Sequence, residues 1–233
     1  MDRRVPMVAA IAFAVLYTAA LTTVPTLPGI DRAGYDIVTH VNEHSGGMRT
    51  QALLATFGAL ALVVVLSHAR HRLTGPYAHM FTIGAALVLA EISIVTWFTA
   101  GIALHPNELG SATARTIADV LAMWGPVLTA ANILVAAPIL MAANEGRLPR
   151  WLGIVAAVFA VEQLIETITI IGPPGSFISP GGPMNFYLGG PLFIAFFLAL
   201  GVALSLDTVT ADRPGADEAP DTGDTAAADE SAD

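Results

Sequence analysis

Cysteine and lysine are both absent from this 233-residue chain, and charge of either sign is scarce except at one terminus. Without cysteine there is no structural disulfide, thiolate metal site, iron–sulfur cluster or cysteine nucleophile. Without lysine, all ten basic residues are arginine. With the richness in Ala, Val and Gly, that usage suggests a GC-rich bacterial genome. No base-reading motif accompanies the arginines, so nucleic acid is not an expected partner. Charged residues make up 12% of the chain, about half the share usual in soluble domains. A hydrophobic content of 55% and a mean hydropathy of +0.66 exceed what a soluble core can absorb.

What the chain does have is six long apolar runs, at Val5–Val24, Thr50–Ser67, Met80–Leu104, Val120–Ala143, Trp151–Ile171 and Phe186–Leu206. A helix crossing about 30 Å of hydrocarbon needs about 20 such residues. The runs are continuously apolar, whereas barrel strands are shorter and alternate. The fold class read from this is all-α, a polytopic transmembrane helix bundle of six spans covering residues 1–206. Arg3, Arg4, Arg70, Arg72, Arg147 and Arg150 fall on one side of such a bundle and Arg32, Arg49 and Arg115 on the other. Positive residues stay on the cytoplasmic side, so both termini are expected there, in a multi-pass protein of the cell (inner) membrane. The first run is read as a retained span rather than a cleaved signal, being long for a signal core.

From Asp207 to Asp233 the chain carries nine acids and one arginine. Low hydrophobicity and no aromatic residue leave this tail unable to offset ordering entropy. It is expected to be disordered, repelled by an anionic leaflet and suited to a basic cytoplasmic partner. The bilayer is the other expected partner.

Ionisable residues inside spans are site candidates by default. Glu91 and Glu162 are each the twelfth residue of their runs, and those two runs cross in the same direction. At about 1.5 Å rise per residue they are expected at one depth near the midplane. Asn132 reaches a similar depth, Gln163 adjoins Glu162, and Glu166 lies one turn further on. No cation falls mid-span, and a carboxyl in lipid without one is favoured in its neutral form. Two readings follow. Glu91, Asn132, Glu162 and Glu166 staple the third, fourth and fifth runs together, or they form a proton or cation site at the bundle centre.

A second constellation precedes the second run, where His40 to His44 reads H-x-x-E-H. On a helix His40 and His44 share one face, with Glu43 beside them, as in the inverted zincin signature. His105, Glu108 and Asp119 stand in the next outer segment as further ligand candidates. Against a metal, Ser45-Gly46-Gly47 is expected to limit the helix the pattern needs, and an amphipathic lead-in is the plainer reading. No cofactor is expected: His68, His71 and His79 read, with Arg70 and Arg72, as a basic patch at lipid head groups rather than haem ligands.

Pro126 and Pro138 are expected to kink the fourth run. Trp97, Trp124, Trp151, Tyr17, Tyr77 and Tyr187 are read mostly as interfacial anchors. The stretch Gly172–Pro183 reads as a rigid neutral cap. In Arg147-Leu148-Pro149-Arg150-Trp151-Leu152-Gly153, Pro149 suits a helix start, Trp151 an interface and Gly153 a close helix contact.

This L-P-R-W-L-G segment opening the fifth span, with the polar lead-in Val41-Asn42-Glu43-His44 and Arg49, resembles small six-span bacterial integral membrane protein families of unknown function. The resemblance implies a six-helix membrane domain and no assigned activity. The function expected from the sequence is therefore a non-enzymatic integral membrane protein with a structural, accessory or interaction role. Its alternative is a small proton- or cation-coupled transporter, and third comes a membrane metalloenzyme using His40, Glu43 and His44.

Overall fold

The computed structural model describes residues 4–210, and every regular element among them is helical. The helices are α1 (Val5–Thr22), α2 (Gly34–His71), α3 (Gly75–Ile102), α4 (Ser111–Ala122), α5 (Trp124–Asn144), α6 (Arg150–Glu166) and α7 (Gly190–Thr210). A 3₁₀ turn occupies Pro106–Glu108, a second continues α6 over Thr167–Ile171, and a π-helical turn over Asn185–Gly189 leads into α7. Six helical segments are long and apolar enough to cross a membrane, with α4 and α5 together forming the fourth. Their outward faces stay apolar: Val8, Leu60, Ile83, Ile154, Val161 and Leu164 are all more than half exposed. Exposed apolar side chains on successive helices are what a lipid-facing surface requires and what a water-facing one avoids.

The six segments close into a ring in which α1 packs on α2 and α7, α2 on α3, α3 on α5, α5 on α6, and α6 on α7. The amphipathic α4 lies against α2. Phe13 and Tyr17 of α1, Phe159 of α6, and Phe193, Phe196 and Phe197 of α7 form one aromatic core, with Phe159 and Phe196 stacked at 4.6 Å. Tyr17 is 5% exposed, so it is a core residue rather than an interfacial anchor. Trp97 and Tyr187 are at least 70% exposed, as anchors would be. Helix contact is tightest where a side chain is missing. A Cβ on Gly84 of α3 would come within 2.7 Å of Leu134 of α5, and one on Gly153 within 2.8 Å of Ala143. In lipid such close approach replaces the hydrophobic drive that water supplies.

The connections between successive long helices fall at two ends of the bundle. Arg4, Arg70, Arg72, Arg147 and Arg150 stand at one end, where α2 meets α3 and α5 meets α6. There α5 stops in a Schellman turn, with the Arg147 N–H on the Ala142 carbonyl, the Gly146 N–H on that of Ala143, and Gly146 at φ +76°. Arg147 also donates to Thr74 and pairs with Glu145, tying the two connections together. At the opposite end are segments 23–33, 103–110 and 172–184, where Arg115 of α4 donates to the carbonyls of Gly29 and Arg32.

Three expectations change. α2 does not begin near Thr50 but runs unbroken from Gly34 through Gly46 and Gly47. Gly46 has open space around it and Gly47 packs against Val24, so contact with neighbouring chain outweighs a helix penalty of about 1 kcal/mol per glycine. At 38 residues, α2 is about 57 Å long, nearly twice the hydrocarbon thickness. The fourth run breaks at Met123, between α4 and α5. That puts Pro126 in the first turn of α5, where its missing N–H costs little, while α5 continues across Pro138. Finally, α7 continues past Leu206 to Thr210; residues 211–233, most of the acidic tail, lie outside the described residues.

Candidate functional site

Half-way along the ring wall formed by α5 and α6, and at the π-helical entry to α7, polar side chains gather in an otherwise apolar bundle. Gln163 of α6 is their hub. Its Nε2 donates to Glu162 Oε2 at 2.7 Å and to Glu166 Oε2 at 2.9 Å, while its Oε1 accepts from Asn132 Nδ2 of α5 at 2.5 Å. Asn185, on the π turn, donates through Nδ2 to Glu166 Oε1. Thr129 of α5 and Thr167 share a hydrogen bond of 2.8 Å; the Thr129 and Thr169 hydroxyls also lie 2.7 and 2.8 Å from the carbonyls of Pro126 and Glu166. Asn132, Gln163 and Glu166 are each no more than 3% exposed.

Local backbone geometry explains why these groups meet. Glu162, Gln163 and Glu166 span one turn of α6, so the first and last share a face. Beyond Glu166 the helix tightens to 3₁₀, and the chain facing it widens to π. Such departures from α geometry recur where side chains must be re-aimed. Two glycines make the room: a Cβ on Gly189 would lie 2.6 Å from both Glu166 oxygens, and one on Gly125 would lie 2.8 Å from Asn185 Nδ2.

The cluster is rich in acceptors. Asn132 Oδ1, Glu162 Oε1 and Asn185 Oδ1 are buried with no hydrogen-bond partner among the described residues. The side-chain amide hydrogens of Gln163 are both used within the cluster, and the remaining oxygens are the kind that accept from a proton, a water or a small cation.

No protein-family model, curated protein or solved structure matches this chain. Its chemistry is therefore read from its own residues.

Of the residues singled out in the sequence, Asn132, Glu162 and Glu166 come together, and Glu91 does not join them. Glu91 is half-buried on α3 and makes no side-chain hydrogen bond among the described residues; α5 stands between α3 and α6. Its depth also differs. Gly84 of α3 lies level with Leu134, and Glu91 is roughly 10 Å further toward the end opposite the arginines. Gln163, hydrogen-bonded to Asn132, fixes Glu162 nearer the level of Leu134. Asn185 and the three threonines complete the set, so the joined runs are the fourth, fifth and sixth.

The H-x-x-E-H pattern does lie on one helix. The rings of His40 and His44 stack at 4.5 Å, and His44 Nδ1 is 2.9 Å from the His40 carbonyl, which commits that nitrogen to its own helix. Glu43 is exposed. Asp119 is paired with Arg115 at 2.6 Å, and His105 and Glu108 line a separate groove beside Trp97 and Phe98. Among the described residues, no three metal-ligating side chains converge. His40 lies on the part of α2 that extends beyond the apolar run. Burial, reinforced by the stacked His44 and opposed by Glu43, holds its pKa below the ordinary 6.5. Its Nε2 is buried without a partner among the described residues.

Proposed function

We propose that this chain is a multi-pass integral membrane protein with a non-enzymatic, structural or accessory role, in which the cluster around Gln163 clamps α5, α6 and the entry to α7 in one register. One observation carries this reading: a single buried glutamine amide bonds side chains from two helices and reaches a third through Glu166. Interhelical hydrogen bonds in membranes contribute about 0.6 kcal/mol each on average, so the clamp acts through number and register rather than through one strong bond. The arginine-rich end supports a cytoplasmic placement of both termini in a bacterial inner membrane. The segment Arg147–Gly153 supports a place among the small six-span families it resembles, and the acidic tail suits a basic cytoplasmic partner. The test is unfolding of the purified protein in mild detergent. Gln163→Ala should be among the most destabilising single changes in the bundle, and an unchanged melting temperature would overturn the clamp.

A second reading has its own support in the three unpartnered acceptor oxygens. In this reading Glu162 and Glu166, with Asn132 beside them, hold and exchange protons or a small cation, and the protein is a small coupled transporter. Proteoliposomes containing a pH-sensitive dye separate the two. A proton flux under an imposed potential that is lost in Glu162→Gln favours the transporter, and no flux above empty liposomes favours the clamp alone.

A further inference from the structure

At the end opposite Arg70 and Arg147, the helix ring forms a partly open chamber of about 210 Å³ between α1, α2, α3 and the α4–α5 break. Its walls are largely apolar, with Leu21, Ala52, Ala55, Ile92 and Leu121 among them, and the segment 24–30 and Pro180–Gly181 form its roof. Two lining side chains carry a ring nitrogen with no partner among the described residues: His40, 9% exposed, through Nε2, and Trp124 through Nε1. An indole N–H can only donate, and an imidazole nitrogen donates or accepts according to its tautomer. A hydroxyl oxygen meets either need. An apolar chamber of about 150 Å³ is enough to hold benzene, so this one accommodates a single ring with a small substituent.

We propose that the chamber is a binding site for a small apolar molecule carrying one hydroxyl group, a phenol or a short alcohol, with His40 and Trp124 as its polar anchors. The apolar walls supply general affinity, and the two nitrogens supply the preference for an oxygen-bearing ligand, because buried polar groups left unpaired penalise a ligand that lacks one. This site is independent of the clamp, since none of the cluster's hydrogen-bonding side chains lines the chamber.

The full chain in lipid nanodiscs, titrated with 4-fluorophenol and with fluorobenzene and followed by fluorine NMR, tests this. Saturable binding of the phenol at least tenfold tighter than fluorobenzene is expected. His40→Phe should remove that preference while fluorobenzene still binds, and Ala55→Phe, by filling the chamber, should abolish saturable binding of both. If His40→Phe does not fold, Trp124→Phe serves as the anchor variant with the same expected loss of preference. The proposal is overturned if neither probe saturates above protein-free nanodiscs, if both bind equally, or if the preference survives in the anchor variant.

Discussion

Glu91 and Glu162 are the same residue at the same ordinal position in two apolar runs that cross in the same direction, yet the bundle treats them differently. Glu162 is 7% exposed and bonded to Gln163; Glu91 is half-buried on a helix two places away around the ring, with no side-chain hydrogen bond among the described residues. The difference lies in their neighbours. Next to Glu162 the sequence places a glutamine with two donors, and one turn on a second carboxyl, whereas next to Glu91 it places Ala90 and Ile92. A lone carboxyl in a span is thus a poor guide to a site, and a carboxyl within reach of an amide is a better one.

The comparison can be broken by substitution. The largest effect should come from Gln163→Ala, which strips partners from Asn132, Glu162 and Glu166 together; a loss of about 3 kcal/mol in unfolding free energy is expected, read by SDS titration of the protein in mixed micelles. Glu162→Ala should cost about 2 kcal/mol against about 0.5 kcal/mol or less for Glu91→Ala. Equal losses for the two alanine variants would erase the distinction. Glu162→Gln keeps a side-chain oxygen that accepts from Gln163, so a cost below about 1 kcal/mol is expected in the same titration.

A smaller effect, outside the apolar core, concerns pH. Because burial lowers the pKa of His40 below 6.5, the unfolded chain binds a proton that the folded chain refuses. Its contribution is therefore fully present above pH 6.5 and is lost as the pH falls below that value toward the lower folded-state pKa. Melting temperatures measured from pH 7.5 downward should fall less steeply for His40→Gln than for the unaltered chain; parallel profiles would show that His40 carries no such linkage.

Much of the architecture was legible because hydropathy over some 20 residues is a strong signal. All six long apolar helical segments, and the all-helical class of the described residues, follow from it. Boundaries were less legible where two rules competed: Gly46 and Gly47 read as a turn, yet packing of Gly47 on Val24 keeps α2 intact, and Pro126 read as a kink although the break at Met123 precedes it. In the cluster, Asn132, Glu162 and Glu166 were visible as rare polar residues in apolar runs. Gln163 was noticed only as a neighbour, though its one amide can both donate twice and accept. Asn185 was missed because it stands at the edge of the last run, where polar residues are unremarkable. Only the π turn brings it to Glu166. Equal depth for Glu91 and Glu162 failed because counting from the start of each run ignores how far each helix is shifted along its neighbour.

Gly189 and Glu166 share one space. The carboxyl fills the volume where a side chain at position 189 would sit, so the two positions make up a single packing unit divided between distant parts of the chain. During divergence neither is free to change alone. A lineage that acquires a larger residue at 189 should shorten or lose the acid at 166, and one that keeps Glu166 should keep glycine opposite it, so this pair is expected to vary together.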